Sequence, residues 1–114
     1  MVGRCIKAAE ELKTLGVDAR LLEFHTLKPL DRDLLIQAAE ETGAIVTAEE
    51  HTIIGGLGSA VAETLAEARP TPLERVGIHD HFCPTGRNLD QLMDACGLSV
   101  TEIVSAAQRV LERK

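Results

Sequence analysis

A chain of 114 residues has room for one hydrophobic core but not for two. A net charge of −6 without any basic cluster, and only two aromatic residues (Phe24 and Phe82), exclude a phosphate-tracking, base-stacking nucleic-acid surface. No apolar run reaches the length of a signal-peptide core or a membrane span, and the three scattered cysteines, Cys5, Cys83 and Cys96, include no C-x-x-C pair. The expectation is a cytoplasmic protein whose cysteines are small buried thiols.

In chain order, Val2, Cys5, Ile6, Ala9 and Leu12 recur at helical spacing, and Gly16 stands where a left-handed C-terminal cap belongs. "DARLLEFHTL" follows as a short apolar run suited to a buried strand, ended by Pro29. Asp31 is placed to cap a helix through Leu34, Leu35, Ala38 and Ala39, which Gly43 stops. "AIVTAEE" reads as a second strand and leads through a glycine-rich loop into a helix with Leu57, Ala60, Val61, Leu65 and Ala68 on one face. "RPTPLE" is a break within the domain, "RVGIHD" a third strand, and "CPTGRN" a turn. A short helix then runs from Leu89 to about Cys96, with Asn88 and Gln91 in capping-box positions.

The last helix has the fullest local signature. Ser99 and Glu102 form an S-x-x-E capping box, and Leu98 and Ile103 occupy the hydrophobic-staple positions. Val100, Ile103, Val104, Ala107 and Leu111 form its apolar face, and Arg109, Arg113 and Lys114 are expected to complement its carbonyl end. Helices alternating with buried strands define an α/β fold, a three-layer α/β/α arrangement around a mostly parallel sheet.

The stretch "AEEHTIIGGLGSAVAE" lies at a strand's carboxyl end, where open α/β sheets bind ligands, and its glycines at a helix start could face an anion. Three features oppose a phosphate site. Val61 stands where the dinucleotide fingerprint needs Gly or Ala, the loop from Glu49 to Gly55 is too long for that motif, and Glu49 and Glu50 repel phosphate. Adjacent Glu50 and His51 point to opposite faces of an extended chain, which disfavours a simple acid–base pair. Glu49, Glu50 and His51 are better suited to tying down the loop or meeting a partner subunit.

In "HDHFC", His79 and His81 alternate as on a strand edge and could share a metal with Cys83, but a structural zinc site needs about four ligands. Cys83 has no visible base to activate it as a nucleophile, and Lys28 reads as a solvated charge in a turn.

Taken together, "AAEELKTLGVDARLLEFHTLKPLD", "ETGAIVTAEEHTIIGGLGSAVAETLAE" and "RVGIHDHFCPTGRNLDQLMDACGLSVTEIVSAA" resemble the C-terminal domain of a transketolase, in particular the separately encoded C-terminal section of some transketolases. The resemblance runs from Val2 to about Leu111, and "HTLKPLD" followed by "TAEEHTIIGGLGSAV" is its most discriminating part. Deoxyxylulose-phosphate synthases and the beta subunits of 2-oxo-acid dehydrogenases share this domain.

The resemblance implies an enzyme that moves two-carbon ketol units between sugar phosphates with thiamine diphosphate and a divalent metal, Mg in the complete enzyme. In that family the N-terminal and pyrimidine-binding domains carry the cofactor chemistry. No catalytic, cofactor-binding or metal-binding residue is therefore carried over to residues 1–114, and the chain alone is expected to be inactive. Glu49, Glu50, His51, Gly55, Gly56 and Gly58 fall in a loop whose implied role is assembly and dimer contact.

The family domain also has a further parallel strand between the segments matching "ARLLEF" and "AIVTAEE". Its absence here implies an N-terminally truncated domain, in which the flanking strands close up or another copy fills the gap. The alternatives to an accessory transketolase domain are a free-standing small-anion-binding or regulatory module, a metal protein using His79, His81 and Cys83, and the corresponding domain of a synthase or dehydrogenase subunit.

Overall fold

Two parallel strands between two helical layers make up the fold in a computed structural model, which describes residues 1–114. In order, the elements are α1 (Val2–Thr14), α2 (Arg32–Thr42), β1 (Ile45–Thr52), α3 (Leu57–Ala68), β2 (Leu73–Ile78), α4 (Leu89–Ala95) and α5 (Val100–Glu112). β1 and β2 pair in parallel, Ile45 opposite Leu73 through Ala48 opposite Val76, with an irregularity before Thr52 meets Ile78. Strand β2 thus starts inside the stretch read from the sequence as a break, because Leu73 and Glu74 continue the ladder.

Alternation along the strands divides the core in two. Val46, Ala48, Val76 and Ile78 face α1, α4 and α5, where Ala8, Leu12, Met93, Cys96, Leu98, Ile103, Val104 and Ala106 are buried. Ile45 and Leu73 face the other way, toward Leu35 and Ala39 of α2 and Val61 and Leu65 of α3. This is the three-layer α/β/α arrangement expected from the alternating pattern.

The strand expected in "DARLLEFHTL" does not form. Residues 17–26 form neither helix nor strand, with Leu21 and Glu23 exposed and Leu22 and Phe24 half-buried, and they join no ladder. The apolar signal is real, since Phe24 packs on the α2/α3 core. What is missing is a backbone partner, without which an extended segment is not a strand. The flanking segments therefore do not close up. Ile45 donates its N–H to Pro72 on the β2 side. Strand alternation therefore turns the N–H and C=O groups of Val46 and Ala48 to the free edge of β1.

The N-caps form where the local signals place them, but the capping boxes do not close, since Glu102 Oε1 accepts from Arg109 at 2.8 Å instead. Asp31 accepts from Leu34 N at 3.0 Å, Asn88 from Gln91 N at 3.1 Å and Ser99 from Glu102 N at 3.0 Å. Gly43 closes α2 with φ of 70°, a conformation that disfavours residues with a Cβ. The basic end of α5 departs from expectation. Arg109 bonds Glu74 and Glu102, and Arg113 donates to Leu73 O at 2.6 Å and pairs with Glu74. These arginines fasten α5 to β2 rather than cap their own helix, because Glu74 lies within their reach.

Arg4 does the same for α4. Its guanidinium reaches Asp94, donates to Asp90 Oδ1 at 2.9 Å and to Leu98 O at 3.1 Å, and is itself largely covered. Arg4→Ala is expected to cost about 1 kcal/mol, mostly through the carbonyl left without its donor, since the exposed carboxylates are screened by water. A urea midpoint that hardly changes with added salt would match this origin, whereas a strongly salt-dependent loss would point to the ion pairs.

Candidate functional site

The β1–α3 joint is held by hydrogen bonds from both β1 and β2. Helix α3 begins at Gly56, which has no side chain to cap the free N–H groups of the first turn. Glu49 of β1 takes that place. Its carboxylate accepts from Leu57 N at 2.7 Å and Gly58 N at 2.8 Å, and the residue is only 9% exposed. A negative group at a helix N-terminus is favoured by both the hydrogen bonds and the helix dipole.

The glycines are required by this closeness. A Cβ on Gly56 would lie 2.0 Å from Glu49 Oε2, and one on Gly58 would lie 2.8 Å from Arg75 Cδ and 2.9 Å from Thr47 Oγ1. Gly55, at φ of 78°, turns the chain and donates its N–H to Ser59 Oγ at 2.9 Å. Ser59 Oγ and Arg75 Nη1 both donate to Ile53 O at 3.0 Å. The loop is thus held from both sides by α3 and β2.

Of the three polar residues singled out in the sequence, only Glu49 is spent in this way. Glu50 and His51 are exposed, with no hydrogen bond between them, and His51 Nδ1 donates to its neighbour Thr52 O at 2.9 Å. With Met1, Phe24, Leu27 and Ala48 they line a shallow groove of about 380 Å³ between the segment carrying Phe24 and Leu27 and the end of β1. Thr47, 5% exposed, has a hydroxyl without a partner beneath α3. Thr47→Val removes that unpaired group at nearly constant shape and is expected to raise stability by about 1 kcal/mol in urea unfolding. A loss of stability would mean that the hydroxyl has a partner in solution.

The joint does not fit a diphosphate. Its helix N-terminus already holds a carboxylate, and the acidic side chains of the groove, Glu49 and Glu50, repel a second anion. A metal site fares no better. His79 and His81 are exposed, Cys83 is bonded to Cys96, and no group of three or more His, Cys, Asp or Glu side chains is arranged to hold an ion.

The Cys83–Cys96 bond corrects the expectation of three separate thiols. The fold brings the loop after β2 over the end of α4, with Cα atoms 5.7 Å apart, a proximity invisible in a 13-residue spacing. Cys5 remains free, and burial pushes its thiol pKa up. Lys28, exposed beside Pro29, makes no ion pair in the structure.

Fold and site together define an α/β domain whose glycine loop is a joint capped from within by Glu49. The transketolase, C-terminal domain family matches residues 1–103, and the chain belongs to that family.

Among its relatives, the 6-deoxy-6-sulfo-D-fructose transketolase subunit SqwH of Clostridium sp. (strain MSTE9) is 49% identical over 100% of this chain and 35% of its own length. A 1-deoxy-D-xylulose-5-phosphate synthase of Desulfitobacterium hafniense (strain DSM 10664 / DCB-2) is 39% identical over 99% of this chain and 18% of its own. A solved structure described as a split gene transketolase, inactive beta4 tetramer, superposes with a TM-score of 0.89 at 45% identity, covering 96% of this chain and 36% of that one. The chain therefore spans about a third or less of the length of each of these proteins. No helix is long and apolar enough to cross a membrane.

Proposed function

We propose that this chain is an accessory domain of a thiamine diphosphate-dependent transketolase, contributing to assembly while partner domains carry out two-carbon ketol transfer between sugar phosphates. The observation that carries the reading is Glu49. By filling the N-terminus of α3, it turns the most ligand-like loop of the chain into a rigid support. The cofactor and its metal then belong to the N-terminal and pyrimidine-binding domains, and no step of the transfer runs through residues 1–114.

The surfaces left for assembly are apolar. Leu21, Leu27, Ile54 and Phe82 are exposed, and the edge of β1 offers unpaired backbone groups to an extended strand. A strand laid along that edge would come from outside the described residues or from another copy in a homo-oligomer. Glu50 and His51, lining the same groove, would meet it.

Mixing the chain with a polypeptide carrying the two cofactor-binding domains is expected to restore ketol transfer that neither part shows alone. Calorimetry of the chain alone should give no heat with thiamine diphosphate and Mg. Binding at micromolar cofactor, or turnover without the partner, would overturn the accessory role. The identity with the synthase makes that enzyme the second reading, and rescue of synthase but not transketolase partner domains would select it.

A further inference from the structure

We propose that Cys83 and Cys96 form a reversible redox tether that pins the 79–88 loop to the core and opens by thiol–disulfide exchange. This loop joins β2 to α4 and has little else to hold it. Residues 79–87 make no backbone–backbone hydrogen bond, and their one side-chain hydrogen bond is the long 3.4 Å approach of His81 Nδ1 to Phe82 O. His79, Asp80, His81 and Phe82 are all exposed, Phe82 completely so at 102%. Against this, Cys83 is half-buried on the α1/α5 side of the core, and Cys96 is 5% exposed within it. The sulfur bridge is thus the single strong link between a loose loop and a packed core.

The two cysteines differ in access, and that sets the order of events. To close the tether, the more exposed Cys83 thiolate attacks a small disulfide such as oxidised glutathione, forming a mixed disulfide and releasing one small thiolate. The Cys96 thiolate then attacks Cys83 Sγ and expels the second, so the protein loses two electrons and two protons while the reagent becomes two thiols. A small thiol reverses both steps. Cys5 packs against the same core but is the one free cysteine of the chain, which makes it the internal reference for the exchange. In a reducing compartment the loop is free, and oxidation fixes Cys83 and, beside it, the outward Phe82.

Arg87 offers a readout, because it lies in the exposed loop between the two cysteines. The full chain is equilibrated across reduced and oxidised glutathione ratios, acid-quenched and alkylated for mass analysis, with parallel samples given a brief trypsin pulse. Cys83 and Cys96 are expected to lose alkylation together as the ratio becomes oxidising, while Cys5 stays alkylated. Cleavage after Arg87 is expected to slow about tenfold in the oxidised form, since proteolysis follows the open population. Fragments cut there should also stay joined until reduced.

Cys83→Ser should be cut at the fast rate at every ratio. Thiols at 83 and 96 that stay free throughout, a disulfide that includes Cys5, or equal cleavage in both forms would each overturn the tether. The wild-type titration decides the matter even if the variant folds poorly.

Discussion

Gly56→Ala is expected to lower the stability of this domain by about 3–5 kcal/mol, a large share of what a domain of this size has. The backbone at Gly56 is extended (φ −94°, ψ −156°), so the added methyl meets no conformational penalty. The cost is entirely steric. The new Cβ falls 2.0 Å from Glu49 Oε2 and 2.8 Å from its carboxyl carbon, so the carboxylate must leave the N-terminus of α3. Its departure strands the N–H groups of Leu57 and Gly58, each charge-assisted bond being worth about 1.5–3 kcal/mol.

Two comparisons isolate this cause. Gly55→Ala has open space around it and only its left-handed φ to resist, so it should cost about 1–2 kcal/mol. Glu49→Ala combined with Gly56→Ala should be no worse than Glu49→Ala alone, because the clash and the lost cap are the same event. Urea unfolding of the four proteins gives the cycle. Additive losses would show that Gly56 is required for some reason other than Glu49.

How much of this could be read from the residues depends on how far each interaction reaches along the chain. Asp31, Gly43, Asn88, Gly16 and Ser99 all act within a turn or so of their own position, and each sits where the sequence places it. The partition of apolar residues into α/β/α layers was equally legible, because the period of the pattern is set by the backbone itself.

Glu49 was singled out, but its job was not legible, since its partners lie eight and nine residues away across a loop. One signal existed. "GGLG" opens a helix with no Ser, Thr, Asp or Asn at the cap, so an acceptor had to come from elsewhere. The "ARLLEF" segment shows the opposite limit: its apolar pattern is visible in the residues, whereas the ladder that would make it a strand needs a neighbour that no pattern within the segment can reveal. The sequence points Arg109 and Arg113 to their own helix end, because nothing in it shows that Glu74 faces them across the fold. For the same reason Cys83 and Cys96 looked unrelated.

Leu98→Ala should be the most damaging truncation on the α1/α5 side, costing about 3–5 kcal/mol by the usual cost of a buried leucine. Read locally, Leu98 is only half of a hydrophobic staple with Ile103. In the fold it is 1% exposed and among the largest fully buried side chains, packed with α1, α4 and α5. Its backbone is equally committed, donating to Met93 O at 2.9 Å and accepting from Arg4 at 3.1 Å.

A cavity at that point therefore loosens the end of α4, the start of α5 and the Arg4 clamp together. Two outcomes follow from this coupling. The loss for Leu98→Ala combined with Arg4→Ala should fall short of the sum of the two, since both release the same helix junction. Ile103→Val, which removes one methylene at the other staple position, should cost only about 0.5–1.5 kcal/mol. If Leu98→Ala were no worse than Ile103→Val, the junction would have collapsed around the smaller side chain, and the staple alone would describe this residue.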